Sequence, residues 1–170
     1  MKAEGMEKYV SAFLNSLKIM IQILRARAKY LDTIVNFQLK MALETENLKL
    51  EKEIVRSGVF HIFENDYKGY YLIAKDDEQV IASLLVLFEW SDWRNGSVLW
   101  VHSVYVLPEY RKKGIFRQMF EHLKQEILVD DTLKGIRLYV DKTNKNAQEV
   151  YKKLNMSDQH YSLYEWMKSV

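Results

Sequence analysis

The stretch from Trp100 to Phe116, WVHSVYVLPEYRKKGIF, constrains the fold of this chain more than any other. Its first half has the pattern of a β-strand, in which alternate side chains lie on opposite faces. One predicted face carries Val101, Ser103 and Tyr105, and the other carries Trp100, His102, Val104 and Val106. Pro108 has no amide hydrogen to donate, so the strand is predicted to end before it.

A basic loop follows this strand and leads into a helix. Arg111, Lys112, Lys113 and Gly114 precede an apolar stripe at helical spacing, formed by Ile115, Phe116, Met119, Phe120, Leu123 and Ile127. The free N–H groups and the dipole of a helix N-terminus attract anions, and Gly114 would let a phosphate approach the backbone closely. An ordinary strand-to-helix junction with a solvated basic turn explains the same residues equally well.

Composition limits the classes of partner. A chain of 170 residues with 48% hydrophobic content is expected to form one compact domain. The net charge is +2, and basic residues are scattered among acidic ones, which argues against a nucleic-acid partner. No apolar run approaches the ~18 residues of a membrane helix. The absence of cysteine excludes disulfides and an acyl-cysteine intermediate, and is compatible with a cytoplasmic location.

The pattern along the chain predicts a helical extension over 1–18 and a domain over 19–170. The predicted elements of that domain are a strand over Ile21–Arg25, helices over Lys29–Thr45 and Leu48–Arg56, strands over Gly69–Lys75 and Gln79–Trp90, the strand and helix described above, a strand over Lys134–Asp141, a helix over Asn144–Leu154 and a strand over Ser162–Met167. Ser57-Gly58 is expected to end the second helix, and Asn146 to cap the last one. This order excludes a simple doubly wound sheet.

Two motifs in this order resemble those of the GNAT N-acetyltransferase superfamily. The first matches at Val106, Pro108, Arg111 and Gly114, with Phe116 where the family usually has a small residue. The second matches at Asn144, Ala147, Tyr151 and Lys153, with Asn155 replacing a glycine. The resemblance covers about Ile21 to Met167. It implies an α/β fold with a mixed, mostly antiparallel sheet of six to seven strands, splayed between strands 4 and 5 and flanked by about four helices.

The resemblance also implies acetyl-CoA as the acyl donor and assigns residues to it. A bulge in the fourth strand would free its edge, so that the pantetheine arm pairs with it as a pseudo-strand. The implied cofactor-binding residues are Val104, Tyr105, Val106, Arg111, Lys112, Lys113, Gly114, Ile115, Phe116, Arg117, Asn144, Ala147, Tyr151 and Lys153. Phe116 must turn its ring into the core if its amide is to remain available.

The implied reaction is direct attack of an amine on the thioester, so the site must accept one proton and donate another. Tyr151 is the candidate acid, because a tyrosine with a pKa of about 10 is protonated at neutral pH. His102 is the candidate base, since a histidine with a pKa of about 6.5 is mostly neutral at pH 7. Glu89 is a rival base, and a half-buried structural histidine is the alternative for His102. No residue spacing indicates a metal site.

The acceptor is expected to be a primary amine on a small molecule or a lysine-like side chain. The region that contains Trp93, Gly96, Tyr105, Pro108 and Arg111 resembles the diamine (spermidine/spermine-like) acetyltransferases most. Glu89, Trp90, Asp92, Trp93 and His102 are the candidate acceptor-binding residues. Either they form an aromatic and acidic mouth for a cation, or they belong to a wide hairpin with aromatic cross-strand pairs. Family members often pair, so a homodimer is compatible with the resemblance. A non-catalytic acyl-CoA-binding module and an interaction domain that uses residues 1–18 are the alternative functions.

Overall fold

A computed structural model describes residues 21–168, and the helix predicted over 1–18 lies outside these residues. The described chain divides after Leu138 into two compact units. None of the helices within residues 21–168 combines the length and the apolar character that crossing a bilayer requires.

The first unit contains a sheet and three α-helices. Its elements are β1 (Gln22–Arg25), α1 (Leu31–Glu46), α2 (Lys52–Phe63), β2 (Gly69–Asp76), β3 (Gln79–Ser91), β4 (Gly96–Val106), α3 (Ile115–Val129) and β5 (Leu133–Leu138). Short 3-10 turns precede α1, connect β3 to β4 and follow β4. The mixed α/β architecture is therefore confirmed.

The strands lie in the order β1-β2-β3-β4-β5. Neighbouring strands from β1 to β4 are antiparallel to each other, and β5 runs parallel to β4. A parallel neighbour needs a crossover, which α3 supplies between β4 and β5. Within the described residues the sheet has five strands rather than six or seven, because Ser162–Met167 forms no strand there.

Helices cover both faces of the sheet. On one face the ring of Tyr105 lies 5.1 Å from that of Phe37 in α1, and Tyr71 lies 5.8 Å from Phe63 in α2. On the other face the Tyr70 hydroxyl donates to Glu126 of α3. The buried core between these layers is aliphatic and includes Ile34, Leu72, Leu84, Leu99, Met119 and Leu123.

The predicted end of α2 at Ser57-Gly58 is wrong. The helix continues to Phe63, because its second half carries apolar residues that pack on the sheet core. Val59 is buried there, and Ile62 and Phe63 are partly buried against the same cluster. A glycine inside a helix costs only about 1 kcal/mol, which this burial offsets.

The second unit contains α4 (Lys145–Lys153). Its N-cap is Asn144, whose side chain accepts a hydrogen bond from the Ala147 amide at 3.0 Å, so the predicted cap at Asn146 is wrong. Asn146 lies inside the helix. Asn155 adopts a left-handed conformation after the helix, as the sequence suggested.

Candidate active site

A β-bulge interrupts β4 in its second half. Leu85 of β3 lies opposite His102, and Ser83 lies opposite Tyr105, so two steps on β3 match three on β4. The extra residue accompanies a left-handed conformation at Ser103, where φ is 50°. The predicted alternation is consequently wrong beyond this point: Tyr105 shares the face of His102, towards α1 and α2, and Val106 shares the face of Val101.

The bulge coincides with the end of the β4–β5 pairing. β5 pairs with β4 from Ser97 to Val101, whereas β4 continues to Val106. Within the described residues, β5 therefore leaves the last five residues of β4 without a strand on that edge, and the predicted splay is confirmed.

Alternate residues of a strand direct their N–H and C=O groups to opposite edges. The Leu107 amide donates to Ile81 on the β3 side, so the main-chain groups of Val106 and Val104 face the open edge. Consistently, the Val106 carbonyl accepts from Arg111 Nε at 2.9 Å. Tyr105, by the same rule, directs its main chain towards β3.

The loop that follows presents backbone donors at the start of α3. Lys112 and Gly114 adopt left-handed conformations, with φ of 60° and 75°. Gly114 is the N-cap and has no side chain that could accept from the first turn. Among residues 21–168, no acceptor is found for the amides of Lys112, Lys113 and Gly114. A Cβ built on Gly114 would meet no atom within 4 Å, so the space above this backbone is open.

The side chains of this loop divide between solvent and core. Lys112, Lys113 and Arg117 are exposed, whereas Ile115 is buried. The Phe116 ring packs against the core and lies 6.2 Å from Phe120, which meets the condition for a bulky residue at this motif position. Open space, free donors and basic side chains together fit a phosphate group.

Arg111 is held by protein acceptors. Its Nη2 donates to Glu44 Oε2 at 2.6 Å, in addition to the bond from Nε to the Val106 carbonyl. The other oxygen of Glu44 accepts from the Tyr105 hydroxyl at 2.8 Å. Glu44 is not among the candidate site residues predicted from the sequence. Its position in the last turn of a helix, where the dipole disfavours a carboxylate, was the available signal of a cationic partner.

A row of polar and aromatic side chains continues along the α1–α2 face of the sheet. The rings of Trp100 and His102 stack with centroids 6.1 Å apart, and the Arg137 guanidinium lies 5.8 Å from the Trp100 ring. Arg137 Nη1 donates to Glu89 Oε2 at 2.6 Å, which balances the charge of that carboxylate. Burial lowers the pKa of His102, so the imidazole is neutral at pH 7.

The remaining candidate acceptor-binding residues lie at the tip of the β3–β4 hairpin. Trp90 is 65% exposed and Trp93 is 87% exposed. The cross-strand partner of Trp90 is Ser97, so this tryptophan takes part in no aromatic cross-strand pair with β4. Asp92 uses Oδ1 to accept from the Trp93 amide at 2.9 Å.

The second unit carries the second motif. Tyr151 is partly buried in α4, and this burial raises the pKa of its hydroxyl, which therefore remains protonated well above neutral pH. Lys153 is exposed in the last turn. The Asn144 side-chain oxygen is used in capping, so its amide nitrogen is the atom available to a ligand. Within residues 21–168, no group of three histidine or carboxylate side chains could hold a metal ion.

The chain resembles known acetyltransferases in sequence. The model of the acetyltransferase (GNAT) family matches residues 31–156. A bovine (Bos taurus) thialysine N-epsilon-acetyltransferase is 33% identical over 79 residues, which are 46% of this chain and 45% of the bovine protein. The match thus spans less than half of that relative.

Solved structures are similar over most of the chain. A possible acetyltransferase from Clostridium difficile 630 is 41% identical, with a TM-score of 0.82 over 88% of this chain and 99% of the other. A predicted acetyltransferase from Clostridium acetobutylicum, solved with acetyl-CoA, shares the fold at 22% identity, with a TM-score of 0.66 over 89% of this chain and 96% of the other. The family model covers well over half of the sequence. The chain belongs to the acetyltransferase (GNAT) family.

Proposed function

We propose that this protein transfers an acetyl group from acetyl-CoA directly to a primary amine, on a small molecule or on a lysine-like side chain. The observation that carries the proposal is the combination of the bulge at Ser103, the open β4 edge and the donor-rich loop at Gly114. Strand amides followed by a helix N-terminus suit a ligand that has amides at one end and a diphosphate at the other. The absence of cysteine agrees with direct transfer.

The proposed cofactor contacts follow from these backbone directions. Main-chain groups of Val104 and Val106 would pair with the amides of the pantetheine arm, and the amides from Lys112 to Arg117 would hold the pyrophosphate. Lys112, Lys113 and Lys153 add positive charge for the outer phosphates. Acetyl-CoA supplies an acetyl group that is activated as a thioester. The chain's own residues bind the donor, orient the amine, accept one proton from the amine and donate one proton to the sulfur.

Proton transfer is assigned to two side chains. An ammonium has no lone pair, so the acceptor must lose a proton before it attacks. The neutral imidazole of His102 accepts that proton, directly or through water. Tyr151 donates a proton to the departing sulfur, because its phenol is protonated at neutral pH.

The acceptor is expected to carry a positive charge that side chains at the tip of the β3–β4 hairpin can contact. Trp90 and Trp93 offer exposed rings, which attract cations, and Asp92 adds a carboxylate beside them. Glu89 is already balanced by Arg137 and contributes less to this attraction. The name of the bovine relative, a thialysine N-epsilon-acetyltransferase, supports an amine at the end of an amino-acid side chain.

An amine panel tests the proposal. Thiol release from acetyl-CoA is measured with lysine, thialysine, diamines and a lysine-containing peptide, and Asp92→Asn provides the matched variant for acceptor charge. We expect release with at least one cationic amine and a raised KM for that amine in Asp92→Asn. Stabilisation of the protein by CoA without thiol release from any amine would contradict the proposal and indicate a non-catalytic acyl-CoA-binding module.

A further inference from the structure

We propose that Glu44 is a positioning residue that holds the cofactor loop in its binding conformation by tying it to α1. The inference rests on the proposed function only in taking the loop after β4 as the acetyl-CoA site. Glu44 lies 67 residues before Arg111 in the sequence, at the far end of the helix that covers the sheet. The hydrogen bond between them therefore joins the C-terminal end of α1 to the loop that follows β4.

Both oxygens of the Glu44 carboxylate are occupied. Oε2 accepts from Arg111 Nη2 at 2.6 Å, and Oε1 accepts from the Tyr105 hydroxyl at 2.8 Å. Tyr105 is only 3% exposed and its ring packs on Phe37, so one partner of the carboxylate is rigid. Glu44 thus connects a fixed point in the core with the first residue of the loop.

Arg111 is restrained on its other side as well. Its Nε donates to the Val106 carbonyl on the open edge of β4. Two of its three guanidinium nitrogens are therefore committed to protein acceptors, and its Cζ lies 5.5 Å from the centre of the Tyr105 ring. In this arrangement Arg111 sets the course of the backbone between β4 and α3, while the loop amides bind the anion.

The electrostatics of the pair favour this role. A carboxylate in the last turn of a helix faces the negative end of the dipole, which is unfavourable without a cation nearby. The hydrogen bond from Arg111 lowers the pKa of Glu44 below its ordinary value and keeps it ionised at neutral pH. A glutamine at this position keeps one acceptor oxygen but loses the negative charge, so the hydrogen bond from Arg111 is no longer charge-assisted on both sides and holds the guanidinium less firmly.

The test compares Glu44→Gln with Glu46→Gln. Glu46 is the last residue of the same helix, is exposed, and has no ion pair within the described residues. Its variant therefore controls for the loss of one negative charge. CoA binding is measured by calorimetry, and folding by circular dichroism and thermal melting. We expect Glu44→Gln to weaken CoA binding by about tenfold and Glu46→Gln to change it by less than about twofold.

Kinetics separate positioning from a loss of folded protein. Glu44→Gln should raise the KM for acetyl-CoA with kcat nearly unchanged, whereas a folding defect would lower kcat. If Glu44 acts through Arg111, the double variant Glu44→Gln with Arg111→Met should bind CoA no more weakly than Arg111→Met alone. Additive losses would overturn the proposal, as would equal affinities in Glu44→Gln and Glu46→Gln.

A second variant covers the case in which Glu44→Gln does not fold. Tyr105→Phe removes the bond to Oε1 and leaves the Arg111 pair, so a smaller weakening of CoA binding is expected, and unchanged affinity contradicts the role assigned to the rigid partner. Calorimetry needs no acceptor. A wild-type protein that binds CoA but acetylates no amine would therefore refute the proposed function while the role of Glu44 could still be measured.

Discussion

Replacing Gly114 by alanine separates the cost of backbone conformation from the loss of the anion site. Gly114 has a φ of 75°, and a Cβ there would meet no atom within 4 Å. The folded state therefore pays only for placing alanine in the left-handed region, about 1–2 kcal/mol. At this chain length, 1 kcal/mol corresponds to a Tm change of about 2–4 °C, so we expect the Tm to fall by roughly 2–8 °C.

Gly58→Ala is the matched control. Gly58 lies inside α2, and a Cβ there also meets no atom within 4 Å. Alanine is favoured over glycine in a helix by about 0.5–1 kcal/mol, so this variant should melt at a temperature roughly 1–4 °C above wild type. The same chemical change thus has opposite effects on stability at the two positions.

CoA binding should respond only at Gly114. A methyl group in the open space above the loop displaces a phosphate from the backbone amides, and losing one charge-assisted hydrogen bond costs about 1.5–3 kcal/mol. This converts to an affinity about 10- to 150-fold weaker, measured by calorimetry. A folded Gly114→Ala variant that binds CoA within about twofold of Gly58→Ala would refute the assignment of the loop.

Three further perturbations test the chemistry and the fold. Burial lowers the pKa of His102, so wild-type kcat/KM should fall with decreasing pH only below 6.5, where the imidazole gains its proton. The His102→Gln variant should lose this fall in kcat/KM at acidic pH. If the variant keeps it, His102 is not the base. Tyr151→Phe should reduce kcat by about 100-fold with CoA affinity unchanged, and equal turnover excludes it from the reaction. Gly69→Ala would place a Cβ 1.9 Å from the Val86 carbonyl oxygen, so stability should fall by about 3 kcal/mol and the Tm by roughly 6–12 °C, and an unchanged Tm would contradict this packing.

Local patterns predicted the elements well where burial and backbone preference agree. The strands β2 and β3 begin at the predicted residues Gly69 and Gln79, because both are apolar runs separated by an acidic turn. The end of α2 was missed because burial of Val59 outweighs the preference of Gly58, and a pattern of single residues does not reveal which surface is available for packing.

The site was only partly predictable for a related reason. The basic loop and its glycine are contiguous in the sequence, so the motif identifies them. The resemblance implied a bulge in the fourth strand, but its position at Ser103 depends on pairing with β3, and the strand's alternation gives no sign of it. The partnerships of Glu44 with Arg111 and of Glu89 with Arg137 join residues that are distant in the chain, and only the folded backbone brings them together.

A crystal structure of this protein with acetyl-CoA tests the central claim most directly. The account predicts pantetheine amides paired with main-chain groups of Val104 and Val106, and pyrophosphate oxygens within hydrogen-bond distance of the amides that follow Arg111. A cofactor bound elsewhere on the sheet, or an arm that leaves the edge of β4 beyond Val101 untouched, would contradict it.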